Sequence, residues 1–198
     1  MTCQRTLYIA PLLLAGFLAI AGCDATGPEA ETDTSTFRLL LTDAPLDEIA
    51  EAHVEIERIE LRGTDTTLVL ASAPQSFDLL TLQDGITAPL AELDVPDGVY
   101  HEVRVVVDEE AYVVFVDGTE ERLKVPGGTQ SGLKIKLGNL ALDSDVVEVT
   151  LDFDVSASFV RRGNSGKGYL FKPVIRPLAI LVNGEPTEVE AGGDAGGD

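Results

Sequence analysis

Val147-Glu148-Val149-Thr150-Leu151-Asp152-Phe153-Asp154-Val155 alternates apolar and polar side chains without a break. A strand turns successive side chains to opposite faces, so this stretch predicts one strand with a Val/Leu/Phe face toward a core and a Glu/Thr/Asp face away from it. The same period of two recurs on both sides. Val103, Val105 and Val107 follow the turn Pro96-Asp97-Gly98 with Arg104 opposite, and Tyr112 to Val116 and Glu121 to Val125 flank Asp117-Gly118, a dipeptide that favours the positive φ of a hairpin. Further strands are predicted at Phe37 to Thr42, Leu68 to Ala71, Phe77 to Leu80, Leu133 to Leu137, Tyr169 to Val174 and Leu178 to Val182.

His53 to Arg62 also alternates, but Val54 and Ile56 are out of phase with Ile59 and Leu61. A β-bulge near Glu57 and Arg58 reconciles the two halves. A helix competes for this segment, because EIAEAHVEIERIEL is rich in helix formers. Elsewhere only Leu46 to Glu51, opened by Pro45, reads as helical, for one or two turns. Many short strands, turns of Gly, Pro and Asp, and few helices to cover a sheet predict an all-β fold. The expected form is a two-sheet antiparallel sandwich, immunoglobulin-like or transthyretin-like, with at most one or two short helical turns.

Outward from this body, the ends have a different composition. Arg5, the apolar run Leu7 to Ile20 and the small residues before Cys23 match a bacterial lipoprotein signal, with cleavage before Cys23 and lipid on its sulfur and amine. The run is too short to span a bilayer, which takes roughly 20 apolar residues. Ala19-Ile20-Ala21 leaves an ordinary secretory cleavage as the alternative. The expected order is a signal peptide at 1–22, a disordered acidic linker at 23–35 beginning at lipidated Cys23, a β-sandwich at 36–183, and an acidic, Gly-rich disordered tail at 184–198. An exported protein held to the cell membrane or outer membrane by acyl chains follows, facing the periplasm or the cell exterior. Of the two cysteines, Cys3 leaves with the signal and Cys23 carries the lipid, so no disulfide is expected.

The formal net charge is −20, and loss of the signal removes one cation, Arg5, and no acid. Such a field repels phosphate backbones and argues against a nucleic-acid partner. It fits a soluble body in a salty medium, or recruitment of divalent cations. A monomer is expected, with a protein or polysaccharide ligand at the loop ends.

Several phrases occur in order: Leu41-Thr42-Asp43-Ala44-Pro45, Asp78-Leu79-Leu80, Pro96-Asp97-Gly98-Val99-Tyr100, Gln130-Ser131-Gly132-Leu133-Lys134, Asp152-Phe153-Asp154 and Lys172-Pro173-Val174-Ile175-Arg176. Together they resemble the bacterial and archaeal lipoprotein family named domain of unknown function 4382 (DUF4382), from about Phe37 to Arg176. Pro126-Gly127-Gly128 stands where that family tends to have Pro-Ser-Gly, so no serine role carries over. The resemblance implies a β-sandwich on a lipid anchor, with no established activity.

Few residues offer chemistry. Asp152 and Asp154 share a strand face about 7 Å apart and, with Asp43, are the candidate ligands for a hard cation such as Ca²⁺; pairing with Lys134, Lys172 or Arg176 is the structural alternative. Gly163-Asn164-Ser165-Gly166-Lys167-Gly168 lacks the spacing and the following helix of a phosphate loop, and Ser165 lacks that of a hydrolase elbow. It predicts a hairpin tip, beside Arg161 and Arg162, the domain's basic spot. His53 and His101 stand alone in predicted strands, without a Cys or His at ligand spacing. The expectation is a non-enzymatic binding module with no catalytic residues and no obligatory cofactor. A calcium-stabilised or carbohydrate-binding domain, and a carboxylate-dependent hydrolase, are the alternatives.

Overall fold

The computed structural model describes residues 32–43, 49–108, 110–124, 132–143, 145–161 and 169–187, within the compact unit that begins at Thr32. The signal segment, Cys23, the linker up to residue 31, Leu46 to Glu48, Pro126-Gly127-Gly128, the tip 162–168 and the tail from residue 188 lie outside them.

The deciding stretch forms β10 (Val146–Phe153). Val147, Val149, Leu151 and Phe153 are all fully buried. Beside it runs β1 (Thr34–Asp43), whose Phe37, Leu39 and Leu41 are equally buried. β5 (Ala88–Pro96) pairs antiparallel with β1, β13 (Ile175–Val182) with β10, and β14 (Glu185–Thr187) with β13, giving the order β14-β13-β10-β1-β5. The central pair β1/β10 is parallel, which departs from a purely antiparallel sheet. Parallel neighbours require a long crossover, and here the chain between them builds the whole second sheet.

That sheet has seven strands: β2 (Ile49–Gly63), β3 (Thr67–Ala71), β4 (Gln75–Asp78), β6 (Gly98–Val107), β7 (Glu110–Phe115), β8 (Glu120–Lys124) and β9 (Leu133–Leu142). β2 pairs along one edge with β7 and then β6, and along the other with β4 and then β3, while β8 extends β7 and β9 extends β6. The seven strands are therefore four long rows, each interrupted near the same level. In β2 the interruption is a register shift between Ile56 and Arg58, the bulge that the phase break predicts. Before it Val54 and Ile56 point inward; after it Ile59 and Leu61 do. The competing helix does not form.

The apolar faces of both sheets meet in one contiguous core, as expected for a sandwich. One end is closed by the short hairpin β11 (Phe159–Arg161) and β12 (Tyr169–Phe171), where Phe171 stacks on Phe159 at 4.8 Å and on Phe153 at 6.3 Å. Tyr100 is buried to 1% exposure, and its hydroxyl is satisfied by donating to the Pro96 carbonyl at 2.7 Å.

Several local expectations change. Ile49 to Glu51 is strand rather than helix, because Ile49 and Ala52 bury their side chains while the backbone pairs with β7. Ala88–Pro96 is a strand without a clean alternation, and its two prolines are tolerated at the sheet edge. Leu79–Leu82 is a 3-10 turn capped by Asp78. Val155 starts α1 (Val155–Ser158) instead of continuing β10, because the Asp154 carboxylate caps the amide of Ala157. The described strands run from Thr34 to Thr187, past the expected bounds 36 and 183. Ser35, placed in the linker by sequence, is buried and donates to Asp97 at 2.6 Å.

Candidate functional site

The outer face of the second sheet carries the described polar chemistry, and the bulge divides it. Beyond the bulge, the residues alternating with buried Ile59, Leu61, Val103, Val105, Ile135 and Leu137 are Arg58, Glu60, Arg62, Glu102, Arg104, Lys134 and Lys136. Register sets Glu60 opposite Arg104, Arg62 opposite Glu102, and Glu102 opposite Lys136, so unlike charges face each other across strands. Glu60 receives Arg58 at 3.1 Å and Arg62 at 3.0 Å; Glu102 receives Lys136 at 3.1 Å and Arg104 at 3.2 Å.

Both carboxylates are nearly buried, with side chains 11% and 7% exposed, and such groups stay charged only when paired. Burial pushes the Glu102 carboxyl up, but Lys136 and Arg104 outweigh it and hold it below the ordinary range. Two acids are thus outnumbered by five bases, while Lys136 and Arg58 remain open to solvent and Lys134 is exposed. Gly132 makes this packing possible. Its φ of +68° is left-handed, and a Cβ there would lie 2.6 Å from Arg104 Cγ.

Before the bulge the same face turns acidic. Glu51, His53 and Glu55 point outward from β2, opposite Ser76 and Asp78 of β4, and Tyr112 of β7 lies opposite His53. The His53 ring stacks on Tyr112 with centroids 4.2 Å apart and planes 12° from parallel, and Nε2 meets Glu51 Oε2 at 2.8 Å. A groove of about 310 Å³ follows, lined by His53, Glu55, Ser76, Asp108, Tyr112 and Arg122 among others.

The sequence candidates are distributed as follows. Asp43 is buried at the end of β1, and its Oδ1 accepts from the Val155 amide at 3.3 Å. Asp154 is held by the Ser156 hydroxyl, the Ala157 amide and Arg176, the last being the structural pairing anticipated for it. Asp152 lies opposite Thr42 and Arg176 on the outer face of the first sheet. These three do not bring their oxygens together. Among the described residues, the ligand-type side chains that converge are Glu51, His53 and Asp78, all within 4.8 Å of one another. His101 is half-buried on β6, outside that cluster.

Cys23, Arg162 and Ser165 lie outside the described residues. The Arg161–Arg162 tip lies outside the described side chains, and the described residues place a concentration of bases on the sheet face. Its members come from three strands, and only their i, i+2 spacing in each strand was visible beforehand. Glu51 and His53 had that signal too, but Asp78 joins them only through cross-strand register.

Described residues of the phrases that carry the resemblance serve the fold. Thr42 donates to the carbonyls of Leu82 and Ile86, Asp78 caps the 3-10 turn, Asp97 binds Ser35, Tyr100 bonds to Pro96, Gly132 receives Arg104, and Asp154 caps α1. No curated protein and no solved structure matches the chain. The family model described as "Domain of unknown function (DUF4382)" matches residues 34–173, nearly all of the sandwich, and the chain belongs to that family.

Proposed function

We propose that this protein is a lipid-anchored, non-enzymatic binding module of the cell envelope, whose basic sheet face holds an anionic polysaccharide. The observation that carries the reading is that, among the described residues, Arg58, Arg62, Arg104, Lys134 and Lys136 gather around the carboxylates of Glu60 and Glu102, in a chain of net charge −20. A solubility surface has no need to concentrate its few bases. Arg forks and exposed Lys suit carboxylate or sulfate groups of a polymer. A protein partner would favour a large apolar centre, whereas the described side chains on this face of β2, β6 and β9 are mostly charged. The absence of Trp disfavours stacking on neutral sugars but leaves recognition by charge. The anchor is supported by Leu18 to Cys23 and by the short apolar run before it.

Retention on immobilised polygalacturonate tests the ligand, since a strongly acidic protein is repelled by a polyanion unless a local patch holds it. Binding at low salt that disappears in the triple variant Arg58→Ala/Lys134→Ala/Lys136→Ala is expected, with the β-rich circular dichroism spectrum retained at the assay temperature, since loss of the Arg58 and Lys136 pairs to Glu60 and Glu102 lowers the melting point. Flow-through of the parent chain, or equal retention of the variant, overturns the reading. Equal retention on polyglutamate would redirect it to acidic polypeptides. Cys23→Ser should release the chain from the membrane fraction.

A further inference from the structure

We propose that Glu51, His53 and Asp78 form a binding site for a divalent transition metal, with zinc the best-fitting ion. Glu51 and His53 stand two residues apart on the outer face of β2, and Asp78 lies directly across from His53 on β4, so three backbone-fixed positions converge. One ligand atom from each lies within 4.8 Å of the others, and His53 Nε2 and Glu51 Oε2 are 2.8 Å apart. Tetrahedral zinc with bonds of about 2.0–2.2 Å separates its ligand atoms by roughly 3.3–3.6 Å. The Glu51 side chain, half exposed, is the member free to rotate toward that spacing.

Two features outside the trio hold it in place. Asp78 Oδ1 accepts from the amides of Ala52 at 3.1 Å and Leu80 at 3.3 Å, which orients the carboxylate and leaves Oδ2 for an ion. Tyr112 packs flat on the His53 imidazole and sets the direction of its ring. The two amide bonds give Asp78 the hydrogen-bonded outer shell that metal-binding carboxylates require. The donor set decides the metal. One imidazole and two carboxylates suit zinc, whereas calcium takes six to eight oxygens. With three protein ligands, a fourth position stays open to water or to an anionic group of a bound ligand.

Titration calorimetry of the untagged full chain with zinc chloride tests the site, paired with thermal melting. The expected result is one zinc bound per chain and a raised melting temperature. Zinc binding should be lost in His53→Ala and weakened at least tenfold in Glu51→Gln, a conservative change at an exposed position, while His101→Ala and Cys23→Ser bind as the parent does. Calcium chloride should neither occupy nor compete for the site. No zinc uptake by the parent chain, uptake that survives both His53→Ala and Glu51→Gln, or calcium binding equal to zinc and lost in the same variants each overturns the proposal.

Discussion

Asp152 and Asp154 stand two positions apart and are driven in opposite directions. Burial raises Asp154, but the Ser156 hydroxyl, the Ala157 amide and Arg176 outweigh it and leave the carboxyl below its ordinary range. For Asp152, burial and then the charge of Asp154 push the carboxyl up, and Arg176 offsets this only partly. A depressed folded pKa, as for Asp154 and Glu102, supplies stability above the unfolded value and loses it as pH falls through the folded one. A raised one works the other way, so ionised Asp152 opposes folding at neutral pH. Asp152→Asn is expected to raise the melting temperature at pH 7 by about 1–3 °C, with the gain fading as pH falls and vanishing below about 3.9. Calorimetric melts across pH 3–8 check this; a loss of stability at pH 7 contradicts it. The spacing of the two acids was legible in the chain. Which of them Arg176 would hold was not, because that depends on Asp154 leaving the strand to cap α1.

At the scale of the element, β2 is the strand on which both halves of the outer face depend. Its one extra residue between Ile56 and Arg58 lets His53 and Glu55 share the outer face with Arg58 and Glu60, while Val54, Ile56, Ile59 and Leu61 all stay in the core. A slip of one residue inverts the faces. Deleting Glu57 is therefore expected to lower stability by more than about 4 kcal/mol or abolish cooperative unfolding, whereas Glu57→Ala, an exposed truncation that keeps the count, should stay within about 0.5 kcal/mol. Urea denaturation of both variants decides; a deletion that melts like the parent would show the bulge to be dispensable. The bulge was readable because a phase break is local to the chain. The strand nature of Ile49 to Glu51 was not, since its helix formers yielded to pairing with β7.

For the whole molecule, charge is the dominant long-range quantity. A net charge of −20 repels itself at low ionic strength, and the screening length shrinks from about 30 Å at 0.01 M salt to about 3 Å at 1 M. Thermal stability is expected to rise by several degrees over that range of sodium chloride, followed by circular dichroism. A flat or falling curve would mean that the ion-pair ladder around Glu60 and Glu102 outweighs the net repulsion. Alternation from Val147 to Phe153, and its repetition along the chain, was sufficient to determine an all-β body and the bulge, because each strand declares its buried face through its own side chains. Partnership was settled only in three dimensions. Backbone hydrogen bonds are alike for every residue, so neither the parallel meeting of β1 with β10 nor the gathering of Arg58, Arg104 and Lys136, or of His53 with Asp78, is written in any one segment. Those neighbours follow from the single arrangement that buries all the apolar faces at once.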